Sequence, residues 1–162
     1  MSFTLRIGKK KDAQAILHLI TELAVFEKLP NEVEITVNDL INDGFSTNPK
    51  FKTFVAEAPN GNIIGMALFY ERYSTWKGKV IHLEDLIVTE NQRGTGAGKA
   101  LYTAVLQHAY KQGCKRVVWD VLDWNTNAIN FYKSTGAKVL EDWRVVHMNE
   151  QGLKNFINNE NI

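Results

Sequence analysis

The chain has 162 residues, and 44% of them are apolar. One compact domain is expected over residues 1–162, because two domains of half this length would each be only marginally stable. The 19 basic and 18 acidic residues give a formal charge of +1, which argues against a nucleic acid as the main partner, since binding to phosphate backbones usually requires a strong basic excess.

The first part of the chain predicts one strand followed by two helices. Alternating apolar and polar residues predict a short strand over Phe3 to Ile7. Apolar residues at three- and four-residue steps then predict an amphipathic helix, which is capped by Asp12 and ends before Pro30. A second, shorter helix is predicted over Thr36 to Phe45, where the apolar residues fall on one helical stripe.

Three β-rich segments follow and predict an antiparallel meander. They cover Phe51 to Ala58, Ile63 to Tyr73 and Lys79 to Val88, and a Pro59-Asn60-Gly61-Asn62 turn separates the first two. In the third segment, strict alternation sorts the side chains between two faces unless a bulge interrupts it. These faces hold His82, Glu84, Leu86 and Val88 on one side, and Ile81, Leu83, Asp85 and Ile87 on the other.

The second half of the chain predicts two helices separated by a strand. The first helix ends at Gly113, and the strand covers Lys115 to Leu122. Asn125 caps the second helix, which ends at Gly136. The remaining predicted elements are closing strands over Lys138 to Leu140 and Arg144 to Asn149, a helical turn over Leu153 to Ile157, and a frayed tail after it. This order predicts one mixed α/β domain.

A glycine-rich turn lies between the third β segment and the next helix. It consists of Gln92, Arg93, Gly94, Thr95, Gly96, Ala97, Gly98 and Lys99. Glycines allow the backbone to approach an anion closely, and the helix dipole favours negative charge there, so the turn predicts a phosphate or pyrophosphate cradle. The turn matches neither of two known phosphate-binding motifs. A dinucleotide fingerprint would need glycine in place of Lys99, and a P-loop would need glycine in place of Arg93. A turn that binds no ligand is the structural alternative.

The chain resembles the GNAT superfamily of acetyl-CoA-dependent N-acetyltransferases in two motifs. Arg93-Gly94-Thr95-Gly96-Ala97-Gly98 matches the Arg/Gln-x-x-Gly-x-Gly/Ala signature, and the segment from Asn125 to Gly136 matches Asn-x-x-Ala-x-x-Phe-Tyr-x-x-x-Gly. Four further segments resemble the diamine acetyltransferase branch, which includes spermidine/spermine and thialysine enzymes. They are Leu23-Ala24-Val25-Phe26-Glu27, Asp43-Gly44-Phe45, Trp76-Lys77-Gly78-Lys79 and Leu83-Glu84-Asp85-Leu86.

This resemblance implies the fold, the cosubstrate and the assembly. The expected fold is a mostly antiparallel central sheet flanked by helices, with a splayed strand pair at the acetyl-CoA site. The glycine-rich turn would hold the pyrophosphate, with Lys99 either aiding a phosphate or remaining solvated. A backbone N–H among Leu86, Ile87 and Val88 would face the oxyanion, while Asn125 and Ala128 would approach the pantetheine arm. The branch is generally homodimeric, so a homodimer is expected.

Acetyl transfer to an amine requires a proton acceptor and a proton donor. An aliphatic amine with a pKa near 10 is only about one part in a thousand neutral at pH 7, so a base is needed. Glu84 lies in an apolar strand, where a carboxylate is costly unless it is paired or used. Tyr132 can donate a proton if its ring is anchored, although the residue pattern alone favours a half-buried packing residue with its hydroxyl at the rim. The resemblance assigns the base role to Glu84 and the acid role to Tyr132.

Acidic and aromatic residues suit a cationic amine substrate. The resemblance places seven such residues at the amine pocket, each with a surface or packing role as its alternative: Phe26, Glu27, Trp76, Glu84, Asp85, Glu141 and Trp143. Ser74 stands where the spermidine/spermine enzymes carry an aspartate, so a shorter diamine or a lysine-like amino acid such as thialysine remains open. A protein or peptide amine, or an acetyl-CoA sensor without turnover, are the competing functions.

Histidine and cysteine residues are not assigned to the chemistry. His18, His82, His108 and His147 lack metal-site spacing, so core or surface roles are expected and no metal is predicted. Cys114 is the only cysteine, which excludes an intrachain disulfide. With no signal pattern and no long apolar run, the chain is expected to be cytoplasmic and free of membrane segments.

Overall fold

The computed structural model describes residues 3–159, which form two compact units that divide after Asp120. The first unit contains strands β1 (Thr4–Ile7), β2 (Lys52–Glu57), β3 (Ile63–Ser74), β4 (Gly78–Val88) and β5 (Val117–Val118), and helices α1 (Ala13–Phe26), α2 (Val37–Gly44) and α3 (Ala97–Lys111). The second unit contains α4 (Thr126–Ser134) and α5 (Glu150–Asn159). Across residues 3–159, every helix is too short or too polar to cross a lipid bilayer.

The strands of the first unit form one mixed sheet in the order β1-β2-β3-β4-β5. Neighbouring strands are antiparallel except β4 and β5, which are parallel. The predicted meander is thus confirmed, as is the mostly antiparallel sheet flanked by helices. β5 pairs with β4 only through Val117 opposite Ile81 and Val118 opposite His82, so the two strands part beyond His82, as the splayed pair predicts.

The two faces of the sheet are covered by different helices. Met66 and Ile87 face each other across β3 and β4 and belong to the buried cluster that includes Ile16 of α1. Their neighbours point to the opposite face, where a Cβ on Gly65 would meet the side chain of Leu101 on α3. The α1 face and the α3 face of β4 are therefore distinct surfaces, which decides where each of its side chains can act.

The beginning of α1 differs from the prediction. Asp12 occupies the cap position, but its side chain makes no capping hydrogen bond to α1. Its carboxylate instead accepts hydrogen bonds from the Arg6 guanidinium at 2.6 and 2.9 Å and from the Lys9 amide at 2.7 Å. The Asp12 carboxylate binds Arg6 rather than the amides of α1, because a charge-assisted, bidentate pair is stronger than a hydrogen bond to a neutral backbone amide. By contrast, Thr36 caps α2 through the amide of Asp39.

Two predictions of strand structure in the second half are wrong. The predicted strand over Lys115 to Leu122 shrinks to β5, because β4 has a bulge just beyond His82 and no longer offers a straight partner edge. The closing strands over 138–140 and 144–149 do not form in the described chain. Most of their apolar side chains are exposed, Val146 by 89%, and alternation alone cannot form a strand without a neighbour to hydrogen-bond.

The C-terminal end is more helical than predicted. α5 covers the predicted turn over Leu153 to Ile157 and continues to Asn159. The rest of the tail expected to fray lies outside the described residues. Helix α4 agrees with the prediction, since the Asn125 side chain accepts a hydrogen bond from the Ala128 amide at 3.2 Å and Gly136 beyond its end has a φ of 88°. Glycine adopts this left-handed conformation without the Cβ penalty.

Candidate active site

A β-bulge in β4 defines the chemistry of its central part. Phe69 of β3 lies opposite Leu83, and the preceding Leu68 lies opposite Asp85, so Glu84 is an extra residue without a cross-strand partner. Because one inserted residue inverts the alternation that follows it, Asp85 and Ile87 join His82 on the α1 face. Leu86 and Val88 move to the α3 face. The strict alternation predicted from the sequence is therefore wrong beyond Leu83.

Three predicted site carboxylates are brought together on the α1 face. Burial raises the pKa of Asp85 to about 6, with further contributions from the charges of Glu84 and Glu27. Burial also raises the pKa of Glu27, which lies at the C-terminal end of α1. The Glu84 side chain remains 50% exposed. The cluster is electrostatically strained without a cation, because like charges in a partly desolvated site oppose ionisation.

Two residues that sequence reasoning missed surround Glu84. His82 Nε2 lies 3.3 Å from Glu84 Oε2, and the Tyr70 ring stacks on the His82 ring with centroids 5.1 Å apart. The pKa of the Tyr70 hydroxyl is raised, first by burial and then by its hydrogen bond to the Glu84 carboxylate. Tyr70 lies directly opposite His82, so the register of the hairpin was the signal that could have found this pair.

The glycine-rich turn has the geometry of an anion cradle. Gly94 and Gly96 have φ values of 75° and 88°, and Gly96 is the N-cap of α3. The Ala100 amide makes the hydrogen bond to the Gly96 carbonyl, which leaves the amides of Gly98 and Lys99 without an acceptor within the helix. Free amides at a helix N-terminus are suited to phosphate, and these fit the predicted pyrophosphate site.

Helix α1 contacts the segment that leads into this cradle. Glu22 Oε1 accepts a hydrogen bond from the Glu90 amide at 2.8 Å. The Arg93 guanidinium lies over the Phe26 ring at 5.2 Å from its centroid, and Arg93 Nε donates to the Val88 carbonyl at 3.2 Å. The contact between Arg93 and Phe26 therefore helps to position the glycine-rich turn. The sequence did not predict this contact. Gln92 ends the short 3-10 helix that begins at Glu90.

The free edge of β4 lies between the carboxylates and the cradle. The Thr89 amide donates to Ile64 of β3, so by alternation the amides of Leu86 and Val88 point away from β3. On that side β5 has ended, since its pairing with β4 stops at His82 within the described strands. The edge thus presents backbone donors of the kind that stabilise an oxyanion. The Ile87 side chain belongs to the buried core.

Trp76 is not brought to the carboxylates within one chain. It lies in the turn between β3 and β4 with 76% of its surface exposed. Glu84 lies eight residues further along, and at about 3.3 Å per residue the strand separates the two positions by more than about 20 Å. The hydroxyl of Ser74, the last residue of β3, accepts a hydrogen bond from the Arg116 guanidinium at 2.9 Å. A cation therefore contacts Ser74, the residue that stands in place of the aspartate of the spermidine/spermine enzymes.

The second unit carries the other predicted site residues. Asn125 and Ala128 form the N-terminal cap of α4. Tyr132 lies two turns further along α4, and its residue surface is only 9% exposed, which anchors the ring as a proton donor would require. Glu141 and Trp143 lie in the irregular segment that replaces the predicted closing strands, and both are exposed. Within residues 3–159, no three acidic, histidine or cysteine side chains are grouped so as to hold a metal ion.

Known proteins are similar to this chain in sequence and in fold. The model described as acetyltransferase (GNAT) family matches residues 14–137. Thialysine N-epsilon-acetyltransferase of Sus scrofa is 40% identical over 148 residues, which are 87% of each chain. Spermidine/spermine N(1)-acetyltransferase-like protein 1 of Homo sapiens is 36% identical over 93% of this chain and 23% of that longer protein. An integron cassette protein from the mobile metagenome of V. cholerae has a TM-score of 0.77 at 23% identity, covering 97% of this chain and 98% of that one.

Proposed function

The chain belongs to the acetyltransferase (GNAT) family, and from this premise we propose that it transfers acetyl from acetyl-CoA directly to a primary amine of a small diamine, polyamine or lysine-like substrate. The relatives are named N-acetyltransferases, which favours an enzyme over an acetyl-CoA sensor. The observation that carries the choice of a cationic amine is the group of Glu27, Glu84 and Asp85 on one face of the sheet.

The carboxylates attract the substrate as a cation and then remove its proton. Burial is the main cause of the raised pKa of Asp85, and an ammonium ion placed among the carboxylates would relieve the repulsion from Glu84 and Glu27 that adds to it. Glu84 is the proposed proton acceptor, because it is the exposed member of the group and reaches solvent, so a water molecule can carry the proton to it. Glu27 and Asp85 provide the remaining negative charge.

Acetyl-CoA is proposed to bind along the free edge of β4 and the N-terminus of α3. The amides from Gly94 to Lys99 hold the pyrophosphate, and the amide of Leu86 or Val88 stabilises the oxyanion of the tetrahedral intermediate. The geometry of these amides in the first unit supports this assignment. By the family resemblance, Asn125 and Ala128 approach the pantetheine arm, and Tyr132 protonates the departing thiolate.

A compact substrate is favoured over a long polyamine. The positive charge of Arg116 at Ser74 would repel the distal ammonium of an extended polycation, while an amine held at Glu84 lies far from it. The thialysine enzyme among the relatives is consistent with this choice. Glu141, Trp143, Phe26 and Trp76 are proposed as further contacts of the substrate. We also propose a homodimer, in which Trp76 of a second copy reaches the amine pocket, and a cytoplasmic location.

The test is a steady-state assay of acetyl-CoA consumption across diamines, polyamines, lysine analogues and peptides. We expect the highest kcat/KM with short diamines or thialysine-like amino acids. Turnover of peptides alone would establish the competing protein acetyltransferase. Binding of acetyl-CoA in calorimetry without turnover of any amine would establish a sensor instead. Sedimentation of the same protein should give the mass of a dimer, and a monomer that retains full activity would contradict the contribution of Trp76.

A further inference from the structure

We propose that His82 is a positioning residue for Glu84, which it holds towards the amine by a hydrogen bond from its ring. This inference rests on the proposed function, since it assigns to His82 the orientation of the proton acceptor. His82 and Glu84 are separated by one residue in β4 and by 3.3 Å between Nε2 and Oε2. The bulge places Asp85 on the same face as His82 and Glu84, whereas regular alternation would place it on the opposite face.

The environment of the His82 ring fixes its orientation. Its side chain is only 12% exposed, whereas that of Glu84 is 50% exposed. Tyr70 lies directly across the strand pair and stacks on the ring at an interplanar angle of 25°. A buried ring packed against a neighbour keeps one orientation, so it can restrict a half-exposed glutamate that would otherwise sample several rotamers.

The unused ring nitrogen indicates which way the hydrogen bond runs. His82 Nδ1 is buried and has no hydrogen-bond partner among the residues that the structure describes. A buried N–H without an acceptor is costly, so the favoured neutral ring keeps Nδ1 bare and carries its proton on Nε2, from which it donates to Glu84. Burial, and then the Glu84 carboxylate, raise the pKa of the Tyr70 hydroxyl, so Tyr70 also interacts with this carboxylate.

The surrounding charges explain why Glu84 needs such support. The charges of Glu84 and of Glu27 from α1 both act on Asp85, so Glu84 and Asp85 lie in a locally acidic part of this face. The bulge also leaves the Glu84 backbone without a cross-strand partner. A donor on the His82 ring, 3.3 Å from the Glu84 carboxylate, would hold this carboxylate where the substrate ammonium arrives.

The decisive variants are H82F and H82Q. Phenylalanine keeps the stacked ring and introduces no polar atom at the position of the orphaned Nδ1, but it removes the donor. Glutamine restores an N–H donor close to the position of Nε2. We expect H82F to lower kcat by about 10-fold or more with unchanged acetyl-CoA affinity, and H82Q to recover most of the loss. H108F is the matched control, because the His108 ring contacts the Phe69 ring, with centroids 5.1 Å apart, on the opposite face of the sheet. This variant should leave kcat unchanged.

A double-mutant cycle separates positioning from a structural role. If His82 acts through Glu84, H82F combined with E84Q should be no slower than E84Q alone, whereas independent structural damage would add. Nitrogen NMR of the His82 ring should show the proton on Nε2 in the free protein, and a proton on Nδ1 would overturn the inference. Wild-type kcat in H82F, with E84Q impaired, would overturn it while leaving the proposed base intact. Wild-type kcat in E84Q would overturn both.

Discussion

At the scale of single residues, the site places carboxylates where their ionisation opposes folding. Burial raises the pKa of Asp85 from its ordinary value of 3.8 to about 6, so the folded state holds a proton that the unfolded chain releases. The resulting stability is fully present below about pH 4 and is lost as the pH rises through about 6. An acid kept in such a position is typical of a functional site, since stability alone would select against it.

Replacement of Asp85 by asparagine should therefore stabilise the protein. At pH 7.5 we expect D85N to raise the free energy of unfolding by about 1–3 kcal/mol, since each pKa unit corresponds to about 1.4 kcal/mol. The decline of stability between pH 4 and 7 should become shallower. Urea unfolding of both proteins across this range measures the effect, and an unchanged slope in D85N would show that Asp85 ionises freely in the folded protein.

Tyr132 provides a second prediction at this scale. Y132F should lower kcat about 10- to 100-fold, because the coenzyme A thiolate would leave without a positioned proton donor. The affinity for acetyl-CoA should remain unchanged, since the ring itself is retained. Stopped assays and calorimetry measure the two quantities separately. Y110F is the control, because Tyr110 is 85% exposed on α3. An undiminished kcat in Y132F would remove Tyr132 from the mechanism.

At the scale of elements, α1 connects the amine side of the sheet to the acetyl-CoA cradle. Glu27, which caps the C-terminal end of α1, acts on Asp85 in the acidic cluster. About one turn earlier, the Glu22 side chain accepts a hydrogen bond from the Glu90 amide, and the Phe26 ring lies under the Arg93 guanidinium. The helix is held in place by its buried apolar side chains, including Ile16 and Leu19, which belong to the hydrophobic core. A rigid, well-packed helix can thus fix the start of the glycine-rich turn, whose own backbone has few internal hydrogen bonds.

Removal of the Glu22 carboxylate should weaken acetyl-CoA binding. In E22A the Glu90 amide loses its acceptor and the turn becomes less ordered before binding, so we expect the Kd for acetyl-CoA to rise about 3- to 10-fold. E22Q keeps an acceptor oxygen and should bind nearly as the wild type does. E32A, at an exposed glutamate outside these contacts, is the surface control. Equal affinities in E22A and E22Q would contradict an anchoring role for this hydrogen bond.

At the scale of the whole molecule, Asp85 and Asp12 have opposite effects on how the stability of the fold depends on pH. Hydrogen bonds from Arg6 hold the pKa of Asp12 below its ordinary value, although burial opposes this shift. The Arg6 guanidinium also pairs with Glu57 of β2, so these side chains tie β1 and β2 to the start of α1. Because the folded pKa of Asp12 is depressed, its contribution is present above about pH 4 and is lost as the pH falls.

D12N should therefore destabilise the fold at neutral pH. It leaves the mostly buried Arg6 side chain, 19% exposed, with one carboxylate partner fewer, at an expected cost of about 2 kcal/mol. The loss should shrink as the pH falls below 4, where the wild-type carboxylate is itself protonated. Thermal and urea unfolding at pH 7 and pH 3 test this convergence. A constant difference at both values would mean that Asp12 acts through packing alone.

Much of the fold and part of the site were predictable because their signals are local. Gly94 and Gly96 adopt the left-handed backbone conformations that favour glycine. Asn125 caps α4 by accepting a hydrogen bond from the amide of Ala128, three residues later in the chain. The meander followed from alternation and from a turn of four residues. The roles of Glu84, Tyr132, Glu141 and Trp143 stay predictions, since they depend on a bound substrate.

Sequence by itself determined the family motifs, the strand meander and the cradle, because short-range propensity and backbone geometry suffice for them. Tertiary structure alone decided that Asp85 shares a face with Glu84 and that Tyr70 and His82 enclose it, since one inserted residue in β4 changes which way each later side chain points. It also decided that 138–149 stays irregular in the described chain. A strand exists only where another strand supplies its hydrogen bonds, and that pairing is a long-range property.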